Sequence, residues 1–197
     1  MLNKNKNCRR EMKKEIRLLG VDDCAFDKFK DRKTLLVGVM FRGSHFIDGV
    51  MSETVSIDGT DSTAAIVRMV NRSKFHSQIR AIMLKGIAVA GFNIVDIRRL
   101  NKLTKIPVIV VMRRQPDRER MLRIMRKLKL EKQAKTLETA GEIHSISGLK
   151  VQLAGITPEL AKEVLQISCA HSNIPEPIRV AHLIAGGVKL GESRGKV

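Results

Sequence analysis

The chain changes its pattern once, near residue 58, and that change limits the folds open to it. Before it come three apolar, β-branched runs with short links: EIRLLGVDD (15–23), TLLVGVMF (34–41) and FIDGVMSETVSI (46–57). Short links between successive strands make an antiparallel meander. After it, helix-period and strand-like segments alternate. DSTAAIVRMVNRSKF carries Ile66, Val67, Met69 and Val70 at helical spacing behind Thr60 or Asp61 as N-cap. AIMLKGI (81–87) is a short buried strand, 92–103 a helix, and PVIVVM (107–112) a strand apolar on both faces. A long helix is expected from Pro116 to about Thr139, then a weaker strand or hairpin over 143–153. Thr157-Pro158-Glu159 opens another helix, with Thr as cap and Pro in the first turn, and a last helix follows Pro175 and Pro177.

The expected fold is therefore α/β: a mixed sheet, part antiparallel meander and part parallel, with helices on both faces. If the first strand is central and lies beside the fourth, the ends of EIRLLGVDD and AIMLKGI meet at one edge. With 197 residues, 43% of them hydrophobic, the chain can bury one core. The expected organisation is a basic, flexible tail over 1–14 and a single domain over 15–197.

Lys plus Arg number 37 against 20 Asp plus Glu, a formal net charge of +17. Such a surface draws polyanions, with nucleic acid, DNA or RNA, the expected partner. Residues 113–135 hold ten basic and three acidic residues, and Arg118, Arg126 and Lys129 could share one helical side. Trp and Tyr are absent and Phe numbers six, which favours backbone contacts over a base-stacking platform. No apolar run reaches bilayer length, and the three cysteines, Cys8, Cys24 and Cys169, have no paired spacing. A reducing, cytoplasmic setting is expected.

Three segments carry a resemblance. Gly20-Val21-Asp22 resembles the first catalytic Asp motif of endonuclease V. Ile106-Pro107-Val108-Ile109 followed by Arg113 resembles that family's strand ending in a phosphate-binding Lys. Ile174-Pro175-Glu176-Pro177-Ile178-Arg179-Val180-Ala181-His182 resembles its C-terminal Pro-Glu-Pro-x-Arg segment. With LKGIAVAGFNIVDI and the terminal GESRG, the chain looks still more like a mainly archaeal, endonuclease V-like family. The resemblance covers about 15 to 195. It implies a ribonuclease-H-like fold and a carboxylate site for Mg²⁺ or Mn²⁺ that hydrolyses a phosphodiester by in-line attack of metal-bound hydroxide. The candidate ligands and catalytic acids are Asp22, Asp58 and Asp61, and the phosphate-binding candidates are Lys85, Arg113 and Arg114. Asp22 and Asp23 alternate across a strand, so one of them faces the site, and the motif favours Asp22. Asp58 before Gly59 also suits a turn, and Asp61 also suits a helix cap. Asp96 reads as a residue inside a helix. His144, in the late strand region, could approach the site.

The chain also departs from endonuclease V. Where that enzyme has Asp-Gly at the end of its fourth strand, this chain has Lys85-Gly86. An ammonium about 4 Å from a divalent ion is repelled by roughly 8 kcal/mol at an effective dielectric of 20. Lys85 therefore turns away, or pairs with Asp22 in place of a metal and holds a phosphate as a point charge. A non-catalytic nucleic-acid binder or a protein-interaction domain is the alternative function. Gly91 stands near the family's His position, and no Tyr-containing wedge is present.

Overall fold

The computed structural model describes residues 15–170 and 172–193. The basic tail over 1–14, His171 and the last residues of GESRG lie outside that range. The meander is as the pattern requires. β1 (Arg17–Asp23) pairs antiparallel with β2 (Lys33–Arg42), and β2 with β3 (Phe46–Ser56). β4 (Ile79–Lys85) lies parallel to β1, and β7 (Val108–Met112) parallel to β4. The hairpin expected over 143–153 is β8 (His144–Ile146) and β9 (Leu149–Ala154), turning through Ser147 and Gly148, both at positive φ. Positive φ at both central residues matches the twist of the flanking strands. The seven-stranded order is β3-β2-β1-β4-β7-β9-β8, so β1 is central and beside β4.

Side-chain alternation divides the core between the two faces. Leu19 and Val21 of β1 and Ile82 and Leu84 of β4 join a cluster under α1 (Ser62–Asn71) and α2 (Ile97–Thr104). Leu18, Ala81 and Met83 point the other way, toward α5 (Pro158–Ser168) and α6 (Glu176–Leu190). At β1 this parity sends Asp22 to the α6 face and Asp23 to the α1 face; at β4 it sends Lys85 to the α6 face.

Local chemistry explains both the agreements and the departures. Thr157 caps α5, its side chain accepting from the Leu160 amide, with Pro158 in the first turn. The helix expected over 92–103 is shorter. Asp96 is its N-cap rather than an interior residue, accepting from the Arg99 amide at 2.9 Å. Just before it, β5 (Ala88–Val89) and β6 (Asn93–Ile94) form a small hairpin that the apolar pattern concealed. The long helix expected over 116–139 is two helices, α3 (Arg118–Lys127) and α4 (Glu131–Glu138). Lys129, at φ 57°, turns the chain between them. Arg118 donates to the carbonyls of Leu137 and Glu138, and Arg126 pairs with Glu138 at 2.9 Å. Arg118 and Arg126 thus clamp α4 back on α3 instead of sharing a basic face with Lys129. No Gly or Pro marks the break, so helical periodicity runs through it.

Candidate functional site

β1 and β4 end side by side, and α6 crosses close above them. The closeness depends on Gly20. A Cβ built there would lie 2.1 Å from the carbonyl carbon of Pro177 and 2.6 Å from the Ile178 nitrogen, both backbone atoms that cannot swing aside. With no side chain at Gly20, the first turn of α6 rests directly on β1. One turn further along the helix, His182 comes over Asp22.

Three side chains meet at this point. Asp22 is 5% exposed, and a carboxylate so buried needs partners. Its Oδ2 lies 2.7 Å from His182 Nδ1 and 3.5 Å from Lys85 Nζ. Nζ is also 2.8 Å from the same Nδ1. The tautomer is assigned from the contacts, of which the 2.7 Å approach to Asp22 is the shorter. A proton on Nδ1 points at Oδ2 and satisfies the short contact. Without it, two lone pairs would face each other across 2.7 Å unless Asp22 carried the proton. With Nδ1–H donating to Asp22, Nε2 keeps the basic lone pair. Lys85 donates a long hydrogen bond to Oδ2 and is crowded against the ring nitrogen, which favours an incoming anion as a further partner for its ammonium.

Asp23 faces away, and its Oδ2 accepts from the Ala90 amide at 2.9 Å. Burial, and next the charge of Asp22, push its pKa up to about 6, against the opposing pull of the Ala90 amide and Lys85.

Asp58 and Asp61 are placed on the α1 side. Asp58 Oδ1 accepts from the Phe92 amide at 2.7 Å and its own amide donates to Ala90 O, which fastens the tip of the 88–94 hairpin. Asp61 makes no side-chain cap to α1; it accepts from the Ser56 amide, from Ser56 Oγ at 2.9 Å and from Asn93 Nδ2 at 2.7 Å. Burial pushes the Asp61 carboxyl up, but the bonds from Asn93 and Ser56 outweigh it and leave its pKa below the usual carboxylate value. Arg113 and Arg114 are exposed just beyond β7, at the same sheet edge as Lys85, whose register partner is Val111. His144 lies on β8, at the edge of the sheet, with β9 and β7 between it and β4. At about 4.8 Å per strand it stands well away from Asp22.

The structure thus unites Asp22 and Lys85, adds His182, and gives Asp58 and Asp61 to the hairpin and the β3–α1 corner. His182 lies three residues past the Pro-Glu-Pro-x-Arg segment. Its sequence signals were that it ends the stretch carrying that resemblance and that it follows Ile178 by four, on the same helical face.

Mg²⁺ or Mn²⁺ asks for six or more ligands, mostly oxygen. One carboxylate, one imidazole and one ammonium do not fit that demand. Among the described residues, no group of three or more His, Cys, Asp or Glu is placed to hold a metal ion.

A mixed sheet in this order, with a helix laid across the end of its central strand, is a ribonuclease-H-like fold. Solved structures bear this out. The chain is similar to an endonuclease V of Ciona intestinalis, in complex with a DNA containing an inosine followed by a ribo-adenosine, at a TM-score of 0.53 and 13% identity, covering 85% of this chain and 83% of that one. It is far more similar to an Archaeoglobus fulgidus protein of unknown function: TM-score 0.82, 44% identity, 88% of this chain and 98% of that one. A UPF0215 protein of Methanothermobacter thermautotrophicus is 47% identical over 191 residues, 94% of each chain. The model of the family described as endonuclease dU matches residues 14–189, and the chain belongs to that endonuclease V-like family.

Proposed function

We propose that the protein cleaves phosphodiester bonds in nucleic acid at the Asp22–His182–Lys85 site, with deoxyuridine in DNA the substrate that the family's description suggests. One observation carries the reading: a buried carboxylate orients a partly buried histidine beside an ammonium, at the end of the central strand. Asp22 holds Nδ1–H, which leaves Nε2 to take a proton from water as the water oxygen attacks phosphorus. Lys85 leaves the ring and meets the charge that grows on the non-bridging oxygens. Arg113 and Arg114 hold neighbouring phosphates. The leaving oxygen takes its proton from solvent.

The test uses labelled DNA with one deoxyuridine, and RNA of matching sequence, incubated with the full chain in EDTA, Mg²⁺ or Mn²⁺. Cleavage lost in both Asp22→Asn and His182→Ala supports the site. Cleavage unchanged in both overturns it. The metal arms decide whether an added cation brings ligands that the side chains do not supply as placed. Lys85 also favours a second reading, a binder without catalysis. That reading expects steeply salt-dependent binding and no cleavage in any arm.

A further inference from the structure

Beyond the reacting groups, one side chain stands out by exposure. Phe29 is 97% exposed, whereas the other large hydrophobics on the surface of the described residues lie between 45 and 61%. Among the described residues nothing covers its ring. It is also not on a loose segment. The Phe29 amide donates to Asp27 Oδ1 at 2.9 Å, and the Asp31 amide donates to Asp27 O at 2.8 Å. Asp31 Oδ2 in turn accepts from the Asp27 amide and from Lys189 Nζ at 3.0 Å. The turn is built around Phe29 and presents it.

Its position is equally specific. The loop leaves β1 directly after Asp22 and Asp23. On one side Lys28 lies over the Phe92 ring, 5.8 Å from its centre, which ties the loop to the 88–94 hairpin. On the other, Asp31 is held by α6, the helix that carries His182. Phe29 is therefore carried on the loop that follows the Asp22 end of β1, between the 88–94 hairpin and the C-terminal part of α6. Its neighbours Lys28, Lys30, Arg32 and Lys33 are exposed and basic, against two acids, Asp31 and Asp27, the latter 3.8 Å from Lys30. A flat apolar face ringed by cations complements a nucleotide strand, whose bases offer π faces and whose phosphates offer charge.

We infer that Phe29 stacks on an unpaired base of bound nucleic acid while Lys28 and Lys30 hold the flanking phosphates, so that the strand is anchored beside the cleavage site. This rests on the reading of that site as acting on nucleic acid. It directs the protein to strands with an exposed base, and it is indifferent to which base, because stacking reads no hydrogen-bond pattern.

The chain has no Trp, so Phe29→Trp provides a single reporter at this position. Full-length Phe29→Trp is titrated with a single-stranded oligothymidylate at low salt, and binding is followed independently by anisotropy of labelled DNA. The expected result is tryptophan quenching that saturates together with the anisotropy. Phe29→Ala should weaken single-strand binding by roughly 5- to 100-fold, leave binding to the fully paired duplex unchanged, and leave the melting temperature unchanged. Anisotropy saturating without quenching, or equal single-strand affinity in Phe29→Ala, overturns the inference while the nuclease reading stands. Wild-type protein that neither binds nor cuts any strand overturns both. Phe29→Ala that alters sedimentation but not DNA affinity assigns the ring to contact between copies and also overturns it.

Discussion

The two acidic corners of the molecule look alike as sequence and differ in three dimensions. At the β3–α1 corner, Asp58 and Asp61 are met by backbone amides, a serine and an asparagine. Those partners are fixed and neutral, so the carboxylates serve as struts. At the end of β1, Asp22 is met by His182 and Lys85, both ionisable and both carried on side chains that can turn. A carboxylate acts as a strut when backbone saturates it and can act in chemistry when titratable side chains do.

The strongest way to break this contrast is Gly20→Ala. The new methyl meets α6 backbone, so stability should fall by about 3 kcal/mol, with the Asp22 side losing its helix. Urea unfolding that matches wild type would show that α6 does not depend on that close approach. Next, His182→Ala should lower cleavage by the folded fraction roughly 100- to 10,000-fold, at a stability cost of about 1 to 3 kcal/mol for the partner that buried Asp22 loses. A large loss of stability with activity retained would make Asp22's partners struts as well. Asp61→Ala should do the reverse. It takes one of two acceptors from the buried Asn93 amide, and the acceptor of Ser56, and costs about 2 kcal/mol, read by thermal unfolding, with cleavage by the folded fraction preserved.

The smallest effect is expected at Asp23, between the two corners. Its folded pKa of about 6 lies above the ordinary 3.8. The stability it contributes is therefore complete below about pH 4 and is lost as pH rises through 6. Asp23→Asn, which can still accept from Ala90, should raise the melting temperature by a few degrees at pH 7.5 and leave it unchanged at pH 4. An equal gain at both values would place the effect outside titration.

Much of this was legible in the residues. The pattern change near residue 58 separates meander from alternation, and β1 and β4 lie together as that order suggests. The two-residue period put Asp22 and Asp23 on opposite faces. The hairpin of 88–94 was hidden because Ala88, Val89 and Ile94 are apolar in either structure. The break at Lys129 was hidden because a non-glycine residue takes the left-handed turn, held there by the clamp of Arg118 and Arg126 on α4. The partners of Asp58 and Asp61 were also invisible. An Asp that ligates, one that caps and one that braces a turn have the same letter.

Local order alone settled the strands, most helices and the parity of their side chains, because those follow from periods of 2 and 3.6 along the backbone. Tertiary structure decided which acid meets a histidine 160 residues away and which of six phenylalanines is left bare. Both depend on how closely two elements approach, and a composition that counts aromatics cannot say which one has nothing packed over it.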